Sequence, residues 1–175
     1  MDNALPASDV RENQISYLMA AYGTPIMRMC YAYLKDTGLA EDAAQETFIK
    51  AYQRLNRLVA REAFSEKAWL MRIAINTCKD YRRSAWFRHV DRAMTPDNLP
   101  LQYGLDAEEK MLIEDVMELP PRYKAVILLY YYQDLQVDEI AETLGIARST
   151  VYYRLEKAQQ RLRVKLERGY QNEQA

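Results

Sequence analysis

Residues 137–155, VDEIAETLGIARSTVYYRL, constrain the fold of this chain more than any other segment. Apolar residues recur there at helical spacing up to Gly145, a residue that takes a left-handed backbone at no steric cost. We expect Ser149 or Thr150 to cap a second helix directly after this corner. The segment therefore predicts a helix-turn-helix.

The second helix of this motif has an apolar face and a polar face. The apolar face, which we expect to be buried, carries Val151, Leu155, Ala158 and Leu162. The other face presents donors that suit phosphates and base edges, namely Arg148, Tyr152, Tyr153, Arg154 and Lys157. A helix with such a face fits the major groove of DNA. The alternative is an ordinary helical hairpin whose arginines are solvated.

The composition favours an all-α chain. Of the 175 residues 49% are hydrophobic and only five are glycine, which suits helices better than a β-sandwich. Two prolines and a glycine interrupt the helical pattern within residues 94–106. We therefore expect two small helical domains, residues 1–93 and 107–175, joined by a flexible linker of residues 94–106.

Four helices are expected in the first domain. Met19 belongs to the apolar stripe of the first helix, and Pro25 marks either the start of the second helix or a kink. The third helix begins near Glu41, and the fourth follows Ser65, which is a suitable N-cap.

Charge is distributed unevenly along the chain, although the net charge is only −1. Lysine and arginine predominate in residues 50–92 and again after Gly145, whereas residues 94–118 are mainly acidic. Two nucleic-acid contacts joined by a segment that avoids DNA would produce this pattern. Solvated helix faces would produce part of it as well.

Several classes of function find no support in the sequence. Cys30 and Cys78 each lie on an apolar stripe, which favours free buried thiols in a reducing compartment, and His89 is the single histidine. We see no nucleophile with a base, no phosphate loop and no metal cluster, so we expect no enzyme, no metal and no cofactor. There is no secretory signal and no apolar run long enough to cross a membrane, and we expect a cytoplasmic protein.

Two segments before the expected linker carry candidate binding residues. In residues 42–55, DAAQETFIKAYQRL, one face is acidic and amide-bearing, with Asp42, Gln45, Glu46 and Ile49; taken alone it indicates a solvated helix. Residues 63–89 interleave aromatic and basic side chains, a combination that binds unpaired nucleic acid. Trp69 and Tyr81 are expected in the core. The polar residues hardest to explain as core are Asn76, Lys79, Arg82 and Arg83.

Three motifs in this order resemble a known family. DAAQETFIKAY, then AWLMRIAINTCKDYRR, then residues 118–163 from ELPPRYKAVILLYYY onward are similar to bacterial extracytoplasmic-function sigma factors of the sigma-70 family. The resemblance covers roughly residues 22–166. It implies a sigma-2 domain and a sigma-4 domain that bring RNA polymerase to promoters, with the polymerase performing the chemistry.

The resemblance also implies roles for individual residues. Asp42, Gln45, Glu46 and Ile49 would dock on the polymerase clamp. The −10 promoter element would contact Arg61, Lys67, Asn76, Lys79, Arg82 and Arg83, with the loop of residues 58–67 capturing an unpaired base. The −35 element would contact Arg148, Ser149, Thr150, Tyr152, Tyr153, Arg154 and Lys157. The implied partners are core RNA polymerase at its clamp and flap regions, promoter DNA and an anti-sigma factor.

Two other functions remain open on the sequence. A stand-alone helix-turn-helix repressor or activator would bind duplex DNA tightly without polymerase, usually as a dimer on paired half-sites. A regulator that kept the sigma fold but lost promoter activity would be insensitive to substitution of Asn76 or Lys79.

Overall fold

The computed structural model describes residues 7–55, 65–84 and 115–173, and the regular structure within these ranges is all helical, as expected. The elements are α1 Ala7–Leu34, α2 Thr37–Arg54, α3 Glu66–Arg83, α4 Pro121–Ile127, a π-helical turn Leu128–Tyr132, α5 Val137–Leu144 and α6 Arg148–Glu173. The expected linker, residues 94–106, lies outside the described ranges. No helix in those ranges combines the length and the apolar character needed to cross a membrane.

Helices α1, α2 and α3 pack together as an N-terminal unit. Its core contains large, fully buried side chains from α1 and α3, among them Leu18, Ile26, Leu70 and Ile75. Ser65 caps α3 as predicted, because its hydroxyl accepts a hydrogen bond of 3.2 Å from the amide of Ala68. This cap fixes where α3 begins.

Three expectations for the N-terminal unit were wrong. Pro25 neither begins a helix nor divides one, because α1 runs unbroken from Ala7 to Leu34 with Pro25 inside it. The residues that follow Pro25 are almost all buried against α2 and α3, and this packing outweighs the lost amide donor. Met19 is 52% exposed rather than part of the buried stripe. Helix α2 also begins earlier than Glu41, because the Asp36 carboxylate caps it through the Leu39 amide at 2.8 Å.

The two cysteines meet in the core where α1 packs on α3. Cys30 and Cys78 are both buried and both free, as predicted. A hydrogen bond with Cys30, reinforced by burial, holds the pKa of the Cys78 thiol well above its usual range. The pair is therefore a protonated, apolar part of the core rather than a reactive site.

Residues 115–118, α4, the π-helical turn, α5 and α6 form a C-terminal unit. Its core contains Val116, Leu129, Ile140 and Val151, contributed by four different segments. In the π-helical turn the amide of Gln133 donates to the carbonyl of Leu128 at 3.1 Å, five residues back. The wider turn leaves the first two of its three tyrosines exposed and the third partly buried.

The two units contact each other where α1 packs on α4 and where α3 packs on α5. The Thr143 hydroxyl donates to the carbonyl of Ala68, and the Gln133 amide donates to the carbonyl of Pro25, each at 3.4 Å. A cavity of about 60 Å³ lies between the units beside Gln133. Within the described residues the Gln133 side-chain oxygen is buried without a hydrogen-bond partner. The contact is therefore partly polar and incompletely packed, as is usual for domains that move relative to one another.

Candidate nucleic-acid interface

The predicted helix-turn-helix is formed by α5, a sharp corner and α6. At the start of α5 the Glu139 carboxylate accepts a hydrogen bond of 2.9 Å from the amide of Gln136. The helix ends at Gly145, whose φ of 65° confirms the expected left-handed corner. The amide of Ile146 then donates to the carbonyl of Ala141 at 3.0 Å, which closes the turn. These bonds fix the direction in which α6 leaves the corner.

Helix α6 has the two faces that the sequence predicted. Val151, Leu155 and Ala158 are buried, and Leu162 is partly buried. The opposite side carries the predicted −35 residues, of which four are exposed, namely Arg148, Ser149, Tyr152 and Tyr153, and three are partly exposed, namely Thr150, Arg154 and Lys157.

The predicted N-cap of α6 was wrong. The helix begins at Arg148, and the amides of Thr150 and Val151 both donate to the carbonyl of Ala147. Ser149 and Thr150 therefore lie inside the first turn. The chain leaves the Gly145 corner after only two further residues, so the helix starts before either hydroxyl.

Two side chains on the polar face of α6 are held by neighbours. The Arg148 Nε lies 2.9 Å from the Asp138 carboxylate of α5. The Lys157 ammonium lies 5.9 Å from the centre of the Tyr153 ring and donates to the side chain of Gln160 at 3.1 Å. The face therefore presents oriented cations next to an exposed Tyr152.

The predicted −10 residues lie along α3 where the structure describes them. Asn76 and Arg83 are exposed, while Lys67, Lys79 and Arg82 are partly exposed. The Arg82 guanidinium lies over the Tyr33 ring, 5.8 Å from its centre. Arg61 and most of the expected base-capturing loop lie outside the described residues.

Lys79 lies where the two predicted DNA surfaces meet. Burial, followed by the nearby positive charges of Arg83 and then Arg154, lowers the pKa of Lys79. Because Arg154 belongs to α6, the cations of α3 and α6 are close enough to repel one another. A dense positive charge of this kind favours a polyanion over a neutral ligand.

The predicted docking face on α2 is exposed, but its acids differ in their surroundings. Asp42, Gln45 and Ile49 are exposed, and the Ile49 side chain is 58% accessible. Glu46 instead pairs with Lys50 at 2.7 Å and accepts a hydrogen bond from the Tyr81 hydroxyl of α3. Burial and that hydrogen bond raise the pKa of Tyr81 to about 12. The predicted face is thus tied to α3 through Glu46.

The sequence did not indicate the partners of Asp138 and Lys50 or the hydrogen bond between Tyr81, expected in the core and partly buried there, and Glu46. The spacing of Glu46 and Lys50, four residues apart on a helix, is a signal that could have indicated their ion pair. No sequence spacing indicates the pair of Asp138 and Arg148, because it depends on the angle of the Gly145 corner.

Comparison with known protein families finds two matches in chain order. The family model described as Sigma-70 region 2 matches residues 18–88, which include all of α2 and α3. The model described as Sigma-70, region 4 matches residues 111–162, which include the whole helix-turn-helix corner.

Curated relatives match over most of the chain. The ECF RNA polymerase sigma factor SigL of Mycobacterium tuberculosis is 36% identical over 137 residues, covering 75% of this chain and 77% of SigL. The ECF RNA polymerase sigma factor SigW of Bacillus subtilis is 31% identical over 160 residues, covering 83% of this chain and 84% of SigW.

Solved structures share the fold. CnrH, solved in complex with the cytosolic domain of CnrY, has a TM-score of 0.67 and 21% identity, with 89% of each chain covered. The sigma factor RpoE of Bartonella quintana, solved with the anti-sigma factor NepR, also has a TM-score of 0.67, with 20% identity and coverage of 89% of this chain and 96% of RpoE.

Proposed function

The chain belongs to the extracytoplasmic-function sigma factors of the sigma-70 family, and we propose that its two helical units divide promoter recognition between them. As a sigma factor it associates with core RNA polymerase and directs initiation at specific promoters. In our proposal residues 1–93 dock on the polymerase and read the −10 element, residues 94–106 link the units, and residues 107–175 read the −35 element.

Docking on the polymerase clamp is assigned to the exposed face of α2. A large apolar side chain such as Ile49, exposed on the same helix as Asp42 and Gln45, suits the centre of a protein interface. Glu46 would shape this face rather than offer a free charge, because Lys50 and Tyr81 already hold its carboxylate.

The −10 element is assigned to α3 and the loop before it. Asn76 offers both a donor and an acceptor to an unpaired base, while Lys79, Arg82 and Arg83 would hold neighbouring phosphates. Lys67 begins this surface in the first turn of α3, and Arg61 would extend it. Trapping an unpaired base favours duplex opening, because the contact exists only in the melted state.

The −35 element is assigned to the polar face of α6. Its first residues follow a rigid corner, and residues at the start of a recognition helix are those that reach base edges in the major groove. The face carries Arg148, Ser149, Thr150, Tyr152, Tyr153, Arg154 and Lys157. The flap region of the polymerase would hold this unit in place.

One observation carries the proposal: the two cationic helix faces, on α3 and α6, fall one in each of the two matched sigma-70 regions. A stand-alone helix-turn-helix regulator is not favoured, because such a protein has no need of the N-terminal unit that matches region 2. The net charge of −1 also gives little affinity for DNA without polymerase. Polymerase would supply the missing affinity by holding both units on one promoter.

The polymerase, rather than this chain, would perform RNA synthesis. The chain would act in the cytoplasm, where the polymerase works. Since RpoE was solved with an anti-sigma factor, we also propose such a partner here, which would cover the α2 face or the cationic faces until released.

The proposal is tested by reconstitution with core polymerase. We expect the holoenzyme to transcribe selectively from its promoter, and Ile49→Asp to weaken binding to core polymerase at least about tenfold by placing a charge in a desolvated interface. Met19→Asp is the matched control, because Met19 is equally exposed but lies on α1. Equal binding by both variants would refute the docking assignment, and the absence of a selective transcript would refute the function.

A further inference from the structure

We propose that Asp138 positions the Arg148 guanidinium to read a guanine in the −35 element. This inference rests on the proposed assignment of α6 to that element. It adds a positioning residue from α5, outside the recognition helix, and names the base that the first residue of α6 selects.

The geometry of the pair carries the inference. Asp138 lies in the first turn of α5 and Arg148 is the first residue of α6, so the two side chains meet across the Gly145 corner. The contact joins the Arg148 Nε to one carboxylate oxygen of Asp138 at 2.9 Å. Both side chains remain more than three-fifths exposed, at 62% and 65%, so the pair is open to an approaching duplex.

The atom that Asp138 contacts determines which edge of the guanidinium stays available. A guanidinium has five N–H donors in one plane, and an ion-pair contact at Nε leaves open the outer edge formed by one N–H from each terminal nitrogen. Those two parallel donors match the O6 and N7 acceptors of guanine, which lie side by side in the major groove. A lysine at this position would lack the fork.

Electrostatics explains why the arginine needs a partner there. The amino end of a helix carries partial positive charge, so a cation in the first position of α6 is disfavoured, whereas an anion in the first turn of α5 is favoured. The Asp138 carboxylate offsets the unfavourable charge of Arg148 at the start of α6. Its own charge is favourable at the start of α5. An exposed ion pair adds little to stability, so its main effect is on side-chain orientation.

A purely structural role makes a different prediction. If the pair only braced the corner, its removal would lower transcription by the same factor whatever the −35 sequence. If it orients a base reader, its removal would change the preference at one base position and leave the others as they were.

The test uses holoenzyme and a promoter library randomised through the −35 element with a fixed −10 element. We expect wild-type holoenzyme to prefer guanine at one position by roughly five- to hundred-fold, the range for one bidentate contact. Arg148→Ala and Arg148→Lys should abolish that preference, and Asp138→Ala should reduce it several-fold at the same position. Asp138→Ala combined with Arg148→Ala should do no more than Arg148→Ala alone.

The matched control is Glu142→Ala, which removes an exposed acid from the same helix α5 and keeps both residues of the pair. It should leave every base preference unchanged. An even loss at all −35 sequences in Asp138→Ala, or a guanine preference that survives Arg148→Ala, would overturn the inference while the proposed function stands. A wild-type holoenzyme without promoter selectivity would overturn both.

Discussion

The predicted docking face on α2 is connected to α3 by contacts of Glu46, Lys50 and Tyr81. Lys50 lies 2.7 Å from Glu46 on α2, and it also donates to the Thr77 hydroxyl of α3 at 3.1 Å. Asp80 lies farther from the same ammonium, at 3.8 Å. A change at the predicted docking face would therefore reach α3 through direct contacts rather than through the backbone alone.

Tyr81 should cause the free energy of unfolding to fall as the pH becomes alkaline. Its pKa is raised from 10.0 to about 12, chiefly by burial, so its contribution is intact below pH 10 and is lost as the pH rises towards 12. Tyr81→Phe should remove this part of the alkaline decline, which we put at about 1 kcal/mol after solvent screening. The loss is measured by denaturant unfolding between pH 9 and 12, a range that begins below the ordinary tyrosine pKa of about 10. A variant with the wild-type pH profile would contradict the role of Tyr81.

Lys79 should lower the stability of the fold while supporting transcription that depends on the −10 element. Burial and the charges of Arg83 and Arg154 disfavour its protonated form, so the charged lysine costs folding free energy at neutral pH. Lys79→Met should raise the free energy of unfolding while weakening transcription that depends on the −10 element. Arg72→Met, which removes an exposed charge from the same helix, is the control and should not stabilise. A lower free energy of unfolding in Lys79→Met would contradict the claim that burial and the charges of Arg83 and Arg154 disfavour the charged lysine.

At the scale of the element, the corner of the helix-turn-helix depends on one backbone conformation. Gly145 has a φ of 65°, and a Cβ added there would meet nothing within 4 Å, so an alanine would be disfavoured by backbone strain alone. Gly145→Ala should lower the free energy of unfolding by about 1 kcal/mol in chemical denaturation. Gly23→Ala, in the interior of α1 and equally free of contacts, should instead stabilise by roughly 0.5–1 kcal/mol. The same sign for both variants would contradict this explanation.

Local signals made the ends of several elements predictable. The cap at Ser65 and the glycine corner at Gly145 depend on the conformation of a few adjacent residues, so the sequence indicates them directly. The continuity of α1 through Pro25 depends on packing against other helices, which local propensity does not include. The π-helical turn Leu128–Tyr132 was likewise not predicted, because one extra residue in a helical turn leaves no distinct sequence signal.

The candidate sites likewise contain features that the local sequence indicates and features that depend on packing between helices. Helical periodicity predicted the exposed sides of α2 and α6, since exposure of Asp42 or Tyr152 depends mainly on the helical repeat. The partners of those side chains come from other elements. Asp138 beside Arg148 and Tyr81 beside Glu46 are therefore visible only once the helices are packed.

At the scale of the whole molecule, the two predicted DNA surfaces lie side by side. Arg154 of α6 is close enough to lower the pKa of Lys79 on α3, and Thr143 of α5 bonds to the backbone of α3. In a promoter the −35 and −10 elements are about 25 base pairs apart, roughly 85 Å at 3.4 Å per pair. Adjacent surfaces cannot reach both elements, so the proposed division of promoter reading requires the two units to separate on the promoter.

This separation can be measured with spin labels on Gln53→Cys of α2 and Arg163→Cys of α6, both at exposed positions. Cys30 and Cys78 are buried and should not take up the label. We expect one short distance in the free protein and a distance longer by tens of ångströms in holoenzyme on promoter DNA. Equal distances in the two states would mean that the contact between the units is kept on the promoter.

Transcription by reconstituted holoenzyme tests the division of promoter reading between the units most directly. The templates carry the −10 or the −35 element replaced separately, and the variants are Asn76→Ala on α3 and Arg148→Ala on α6. We predict that Arg148→Ala becomes less sensitive to −35 replacement and keeps its full sensitivity to −10 replacement, while Asn76→Ala does the reverse. Variants that lower transcription by one common factor on every template would contradict this division.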